Sequence, residues 1–561
     1  MRRSAQTCCC ILFFLFLLPA VLVSFTFASG PYQVGSANTV TADPLVTRPS
    51  TTPCVVQLFS DAQFFDFNNE DFTYTPPTDC PGPWAKVVLE SDISVQAGVQ
   101  FDRTANYWLG PYNIYFGTTA EPSAIGPSWH VENDLTDYSS IFTTAQSGVA
   151  SIGNTLCCGL TSIIFASAQL EFYPLPANRP APVTANVVLP LSAGSTGGTV
   201  TLNTGTDTLA GTFTMPTNIS AAYLDIWSQG QSGDEFWYTC VPSDVATELE
   251  SCSNTAFRET EITIDGQPAG VAPIFPWIFT GGIDPFLWLP IPGVQTLDMV
   301  PYRVNLTPFA GLLSNGQPHT VSISVFNANG YFEDTASLLL YTDPNVTQVT
   351  GGIISNTLTA PSPAVTENLK TTSSGNIFGN VGVTSNRNFV ISGNAVTSAG
   401  NVLTTVAQNI NFSNQQTFAI SGTKYQQDIN QRTLLESLAT QSIGGTTTSA
   451  TRQTYNWPLV TDILVAVNAD GSEDQTTKIN QEYQLNIAAT PTNQASFTSS
   501  LFNAGAHVDT LEFDSSGNFI GNTGMTSGQR YSYSDSTGAN YKCAIAAANN
   551  VLTSFSGGCA Q

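Results

Sequence analysis

The chain has 561 residues, of which 42% are hydrophobic and 11% aromatic. This composition is rich enough for packed cores, which excludes a disordered chain, and the length favours two to four domains. Forty-one acidic residues against 16 lysines and arginines give a net charge of -25, and the absence of a basic run excludes nucleic acid as a partner. Carboxylates repel one another less in acid, so the composition suits an acidic exterior.

The N-terminus has the layout of a secretory signal peptide over residues 1–29. Two arginines precede the apolar run "CCCILFFLFLLPAVLVSFTF", which ends in the small-residue segment "FASG". An uncleaved membrane anchor is the alternative, because the apolar run is long for a signal. We expect a secreted protein, extracellular or periplasmic, without membrane contact after cleavage.

The remainder predicts an all-β protein. Short stretches rich in Val, Ile, Thr, Tyr and Phe alternate with Gly, Pro, Asn and Asp, as in "TEITIDGQPAG" and "HTVSISVFNANG". The proline-rich segment "YPLPANRPAP" and a loss of aromatics beyond about residue 350 divide the chain. We predict two adjacent antiparallel jelly-roll or sandwich domains, residues 30–180 and 181–350, and a third β-rich domain, residues 351–561. A helix is expected only at Asp428–Ser442, with one turn near "TDYSSIF".

The cysteines predict three disulfides. Of 11 cysteines, three lie in the signal segment, and the spacing of the others pairs Cys54 with Cys80, Cys240 with Cys252 and Cys543 with Cys559. Cys157 and Cys158 are left as a vicinal bridge or as thiols. The three histidines are scattered and no CxxC pattern occurs, so we expect no zinc site, no other metal and no cofactor.

Polar and aromatic side chains alternate along Gln100–Gly110. Written as a strand, this segment places Asp102, Thr104, Asn106 and Trp108 on one face. Carboxylate, amide, hydroxyl and indole groups together are typical of a sugar-binding surface. Taken alone, the segment favours the plainer interpretation, a solvated strand with one buried tryptophan.

A second acidic and aromatic segment is "SQGQSGDEFWYTC", Ser228–Cys240. Its glycine-punctuated loop carries Asp234 and Glu235, and Glu235 is expected to share a strand face with Trp237. "FRETEITIDG" adds Arg258 before a hairpin turn at Asp265–Gly266.

In their order, these motifs resemble the peptide N-glycosidase A family. The resemblance rests on "FDRTANYWLG", "TTAEP", "PSWHVENDLTDY", "GDEFWY", "FRETEITIDG", "FPWIFTGGIDPFLWLPI" and "VPYRVNLTPFAGLL", and covers about Cys54 to Asp343. It implies two jelly-roll domains side by side and cleavage of the bond between asparagine and an N-linked glycan. N-glycosylated peptides or glycoproteins would then be the partners of a monomeric enzyme.

A fainter similarity to the bacterial peptide N-glycosidase F type suggests roles. It implies that Asp102 is the principal catalytic carboxylate and that Glu235 is the second. A further functional glutamate of that type falls at Asn154, so Glu121 is the nearest substitute. The residues expected to bind substrate are Arg103, Asn106, Trp108, Glu121, Asp234, Trp237 and Arg258.

Two other functions stay open. Paired carboxylates and tryptophans also suit a glycoside hydrolase, and a glycan-binding or adhesion protein would use the same surfaces without catalysis. The products distinguish the three: an amidase converts Asn to Asp and frees the intact glycan, a glycosidase leaves sugar on Asn or trims outer residues, and a lectin changes nothing.

Overall fold

The computed structural model describes residues 32–492 and 494–559. About 56% of the residues are in strands and 5% in helices, and every strand pair is antiparallel, which confirms the all-β class. The signal segment lies outside the described residues. Within the described ranges, no helix is long and apolar enough to cross a membrane.

Two four-stranded sheets form from residues 54–174. Their orders are β1-β8-β3-β6 and β2-β7-β4-β5, with an apolar core between them that contains Leu89, Tyr107 and Phe172. The predicted turn near "TDYSSIF" is a 3-10 helix, Thr136–Thr143. The strands are β1 Cys54–Phe64, β2 Glu70–Tyr74, β3 Trp84–Val95, β4 Thr104–Leu109, β5 Tyr112–Thr118, β6 Ser128–Asp134, β7 Gln146–Ile152 and β8 Ile164–Pro174.

Two further sheets form from residues 187–342. The first has the order β10-β17-β12-β15, and β9 also pairs with β17. The second has the order β11-β16-β13-β14. The β13–β14 hairpin turns at Asp265 and Gly266, both with positive φ, as predicted. The strands are β9 Val187–Leu191, β10 Val200–Leu202, β11 Leu209–Thr214, β12 Ile219–Gln231, β13 Glu259–Ile264, β14 Gln267–Pro273, β15 Tyr302–Asn305, β16 Pro318–Phe326 and β17 Tyr331–Thr342. Short helices lie at Ser232–Asp234, Trp237–Thr239, Pro285–Trp288, Thr307–Phe309 and Ala310–Leu313.

One large sheet of 11 strands forms from residues 350–555, in the order β18-β20-β21-β22-β23-β24-β25-β26-β27-β28 with β19 paired to β20. One face packs Phe412, Tyr455, Trp457 and Tyr483 into the core of the preceding two sheets. The strands are β18 Thr350–Asn356, β19 Ala364–Thr371, β20 Ile377–Thr397, β21 Gly400–Ser421, β22 Lys424–Ile443, β23 Thr446–Val467, β24 Glu473–Thr490, β25 Phe497–Phe513, β26 Phe519–Asp535, β27 Asn540–Ala548 and β28 Val551–Phe555. The division into domains at residues 180 and 350 stays a prediction.

The helix predicted at Asp428–Ser442 is wrong. These residues belong to β22, which pairs along its length with β21 and β23. Alternate residues, from Gln427 through Ile429 to Leu435, are buried against the preceding sheets. Tertiary packing of this period-2 face therefore overrides the local helix propensity of "LLESLA".

All three predicted disulfides are present, Cys54–Cys80, Cys240–Cys252 and Cys543–Cys559. Cys157 and Cys158 are exposed free thiols. Of the two alternatives left open by the sequence, the structure therefore has the thiols.

Candidate active site

Three carboxylates from separate loops meet at one site. Asp102 lies two residues before β4, and Glu121 lies three residues after β5. These two strands form a hairpin in which Thr104 is opposite Thr118, so the loops that carry the two carboxylates are adjacent. The backbone N–H of Asp102 donates to Oε1 of Glu121 over 3.2 Å. The third carboxylate, Glu235, follows the 3-10 turn that ends β12.

Hydrogen bonds join the end of β12 to the start of β4. The Thr104 hydroxyl donates to Oε1 of Gln229 over 3.1 Å and accepts from Nε2 of Gln231 over 3.1 Å. Both glutamines belong to β12, so these bonds fix the loop that carries Glu235 next to the loop that carries Asp102.

A glycine forms the wall behind two of the carboxylates. The Thr280 hydroxyl donates to the carbonyl of Thr119 over 2.7 Å and holds the following residue, Gly281, against the site. A Cβ atom at Gly281 would stand 2.3 Å from Oε1 of Glu121 and 2.7 Å from Oδ1 of Asp102. Only glycine permits this approach of backbone to both carboxylates.

Burial raises the pKa of all three carboxyl groups, and the charge of Asp102 adds to this effect at the two glutamates. Burial raises the pKa of Asp102 to about 6, against opposing effects from the N–H groups of Asp102 and Gly281 and the charge of Arg103. Burial and the charge of Asp102 raise the pKa of Glu121 to about 7, and the same two causes raise the pKa of Glu235 to about 7. As pH rises, Asp102 therefore loses its proton first, at about pH 6, and the two glutamic acids stay protonated until about pH 7.

Arg103 lies at the edge of this cluster. Its Nη2 donates to Oε1 of Gln100 over 2.8 Å, and its guanidinium lies 5.9 Å from the ring centre of exposed Phe101. The buried Nε has no protein partner. Burial lowers the pKa of Arg103, and the negative charges of Asp102 and Glu121 oppose that effect. Arg103 therefore places a positive charge beside Asp102 and Glu121 and keeps one buried N–H group that no protein atom accepts.

The sugar-binding face expected from Asn106 and Trp108 is absent. Strand β4 begins at Thr104, so Asp102 precedes the alternation that was to align it with these residues. Trp108 is 2% exposed and packs beside Gly197, and buried Asn106 accepts a hydrogen bond from Asn113. Both side chains belong to the packed interior, which corrects their predicted contact with substrate.

Asp234 and Arg258 form a buried ion pair instead of contacting substrate. Both side chains are 0% exposed, and Oδ1 of Asp234 accepts from Nε and Nη2 of Arg258 over 2.9 and 2.8 Å. Its Oδ2 accepts from the N–H groups of Asn329 and Gly330. The pair fixes the turn that presents Glu235, the next residue.

Trp237 also lies in the interior. It is 3% exposed, contacts the rings of Tyr238 and Phe412 and belongs to a 3-10 turn. The strand face that it was to share with Glu235 does not form, because the chain turns at Ser232–Asp234 and again at Trp237–Thr239. Asn154 is structural as well, since its Nδ2 donates to the carbonyls of Phe64 and Ser162.

Gly281 is the site residue that the sequence analysis missed. Its signal was the Gly-Gly pair in "FPWIFTGGID", since paired glycines mark places where backbone approaches another group closely. The residues that it approaches, Glu121 and Asp102, are 160 and 179 positions earlier in the chain, so local pattern could not identify them.

A family model described as peptide N-acetyl-beta-D-glucosaminyl asparaginase amidase A matches residues 44–358, more than half of the chain. The chain belongs to this family. The matched range includes all three carboxylates and Gly281, whereas nearly all of the large C-terminal sheet lies beyond it.

A curated relative of this amidase A family, peptide-N4-(N-acetyl-beta-glucosaminyl)asparagine amidase A of Prunus dulcis, is 31% identical over 324 residues. The alignment covers 54% of this chain and 57% of the relative, so the chain spans little more than half of that protein. Among solved structures, PNGase F, a glycosylasparaginase from Flavobacterium meningosepticum, is 16% identical with a TM-score of 0.35 and covers 52% of this chain and 96% of its own. PNGF-II is 12% identical with a TM-score of 0.37 and covers 52% and 66%.

Among the residues that the structure describes, one group of potential metal ligands lies away from the three carboxylates. Glu90, His130 and Glu132 offer ligand atoms within 4.8 Å of one another. However, the guanidinium of Arg48 contacts both glutamates, and His130 bridges Asp92 and Glu132 over 2.8 and 3.1 Å. Burial opposes protonation of His130, but these two carboxylates raise its pKa to about 9. Arg48 and His130 already pair with these carboxylates, so the group is a salt-bridge network.

Proposed function

We propose that this protein hydrolyses the amide bond between an asparagine side chain and the innermost GlcNAc of an N-glycan. The observation that carries the proposal is the meeting of Asp102 and Glu121 against the backbone of Gly281, with Glu235 close enough to interact with both carboxylates. Membership of the amidase A family and the name of the Prunus dulcis relative support it.

The raised pKa values divide acid and base roles among the three groups. Ionised Asp102 accepts a proton from water as the water oxygen adds to the asparagine carbonyl carbon. Protonated Glu121 donates a hydrogen bond to the carbonyl oxygen as negative charge develops there. Protonated Glu235 transfers its proton to the departing nitrogen, so that the C–N bond breaks. The products are aspartate and a glycosylamine, which loses ammonia to water and gives the free glycan.

This division of roles predicts activity on the acidic side of neutrality. The rate rises as Asp102 loses its proton at about pH 6 and falls as the glutamic acids lose theirs at about pH 7. The apparent values belong to the coupled group. The acidic composition is consistent with such conditions.

The remaining properties of the proposed enzyme follow from composition and chemistry. It is secreted as a monomer, acts on N-glycosylated peptides or glycoproteins, and binds neither nucleic acid nor membrane after signal cleavage. It needs no cofactor, because carboxyl groups supply both acid and base.

A glycoside hydrolase is the second candidate, since it would use the same group of carboxyl side chains. Membership of the amidase A family and the name of the Prunus dulcis relative favour the amidase.

Replacement of Asp102 by Asn tests the proposal. The change keeps the volume and removes the base, so release of glycan from a defined glycopeptide should fall by about a hundredfold or more. Asp71→Asn is the matched control, because Asp71 is an exposed residue of β2. Glycan release by Asp102→Asn at near the parent rate, with an unchanged melting temperature, would refute the role of Asp102.

A further inference from the structure

A groove of about 350 Å³ lies between the loops around Glu235 and the large C-terminal sheet. Ser232, Phe236, Glu250 and Ile283 line one side. Gln427 of β22 and Ile463 of β23 line the other. The volume lies within the range of small-molecule sites, roughly 300–1,000 Å³.

Two residues that line the groove, Phe236 and Ile283, are close in the chain to residues of the carboxylate site. Phe236 follows Glu235 in the chain, and Cε1 of its ring is 3.2 Å from the position that a Cβ at Gly282 would take. Gly282 follows Gly281, the wall behind Asp102 and Glu121, and Ile283 comes next. A ligand whose reacting bond lies at the carboxylates can therefore extend along residues 281–283 into the groove.

The C-terminal side of the groove is fixed to the catalytic side by amide hydrogen bonds. Nε2 of Gln427 donates to the carbonyl of Thr239 over 3.0 Å and Nε2 of Gln416 to that of Cys240 over 2.9 Å. Nδ2 of Asn414 donates to the carbonyl of Tyr238 over 2.8 Å. The three acceptors belong to the segment that follows Glu235, so these hydrogen bonds attach the sheet directly to that segment.

The lining chemistry fits a neutral sugar chain. Phe236, Ile283 and Ile463 present apolar surface, while the hydroxyl of Ser232 and the carboxylate of Glu250 present polar atoms. The hydroxyls of Thr239 and Ser251 donate to backbone carbonyls and can only accept from a ligand. Apolar faces beside hydroxyl and carboxylate groups suit the C–H and O–H groups of a hexose. The residues that line the groove include no Lys, Arg or His, so they offer no counter-charge to an anionic ligand.

An extended peptide fits this groove less well. A bound peptide strand gains most of its affinity from main-chain hydrogen bonds to a free sheet edge. Strands β22 and β23 are each paired on both sides, so they offer no such edge.

We propose that this groove binds the neutral glycan arm beyond the two innermost GlcNAc residues, so that the C-terminal sheet takes part in substrate recognition. The inference rests on the proposed amidase function and adds a subsite whose far side, Gln427 and Ile463, lies outside the family match at residues 44–358.

Two glycopeptides with the same peptide test the proposal, one with a full oligomannose glycan and one trimmed to two GlcNAc residues. Ile463→Ser removes apolar contact, so kcat/KM for the full glycan should fall about tenfold, as expected for loss of one apolar side-chain contact. The value for the trimmed substrate should change less than about twofold. Val460→Ser is the control, because Val460 is 43% exposed on the opposite face of β23.

A binding measurement keeps the test independent of turnover. Asp102→Asn should bind the full glycopeptide more tightly than the trimmed one in calorimetry, and Ile463→Ser or Glu250→Gln in that background should remove the difference. Glu250→Gln also serves if Ile463→Ser fails to fold. Equal losses on both substrates, or losses that follow peptide length, would overturn the subsite. Absence of glycan release by the parent enzyme from both substrates would instead overturn the proposed function.

Discussion

The replacement of Gly281 by Ala should inactivate the enzyme without unfolding it. The new Cβ would stand 2.3 Å from Oε1 of Glu121, whereas ordinary contacts begin near 3.4 Å, so the carboxylate must retreat by about 1 Å. Oδ1 of Asp102, at 2.7 Å, must also move. Both atoms are the ends of side chains, so the backbone need not shift. A misplacement of about 1 Å can cost roughly a hundredfold in rate.

The assay is kcat/KM for glycan release from a defined glycopeptide, together with the melting temperature. Gly281→Ala should lower kcat/KM about a hundredfold and leave the melting temperature within about 2 °C. Gly352→Ala is the control, because a Cβ there meets no atom within 4 Å. Parent-like activity of Gly281→Ala would refute the inference that this glycine sets the carboxylate positions.

Three further predictions concern pH and stability. The pH profile of kcat/KM should be bell-shaped with its maximum between about pH 6 and 7, because Asp102 must be ionised while Glu121 and Glu235 are protonated. A plateau that extends above pH 8 would contradict the acid roles of the two glutamic acids. The melting temperature should be several degrees higher at pH 5.5 than at pH 8, because burial raises the pKa of Asp298 to about 7 and of Asp334 to about 8. The folded state then binds these protons more tightly than the unfolded chain. This stability falls steadily as pH rises from about 4, the pKa of an unfolded aspartate, and is fully lost above the folded values of about 7 and about 8. Burial lowers the pKa of His507 to about 4, so this single histidine destabilises the folded state as pH falls below about 6.5 and opposes the effect of the two aspartates. A lower melting temperature at pH 5.5 than at pH 8 would refute the assignment to Asp298 and Asp334. Arg258→Leu should lower the free energy of unfolding by about 3–5 kcal/mol in urea titration, since it leaves the buried charge of Asp234 unpaired; a change below about 1 kcal/mol would exclude that role.

Local pattern was enough for the fold class. The alternation in "HTVSISVF" becomes β16, with His319, Val321, Ile323 and Val325 buried in turn. The disulfide pairs followed from spacing, because each closes a short loop. At Asp428–Ser442 the pattern failed, since helix-forming side chains occupy a strand whose face is buried by distant residues.

The site was only partly accessible from sequence. The resemblance singled out Asp102 and Glu235 and offered Glu121 as a substitute, and the structure brings all three together. The alternation assumed for Asn106 and Trp108 failed because β4 begins after Asp102. Neither the ion pair that buries Asp234 nor the approach of Gly281 could be predicted, since both depend on tertiary contacts.

The identity of the bond that breaks tests the central claim most directly. A defined N-glycopeptide would be incubated with the enzyme in water enriched in oxygen-18, and the peptide product would be sequenced by mass spectrometry. The amidase account predicts that the glycosylated asparagine becomes aspartate with one oxygen-18 atom in its side chain and that the glycan is released intact. A peptide that retains asparagine, with or without an attached GlcNAc, would contradict it.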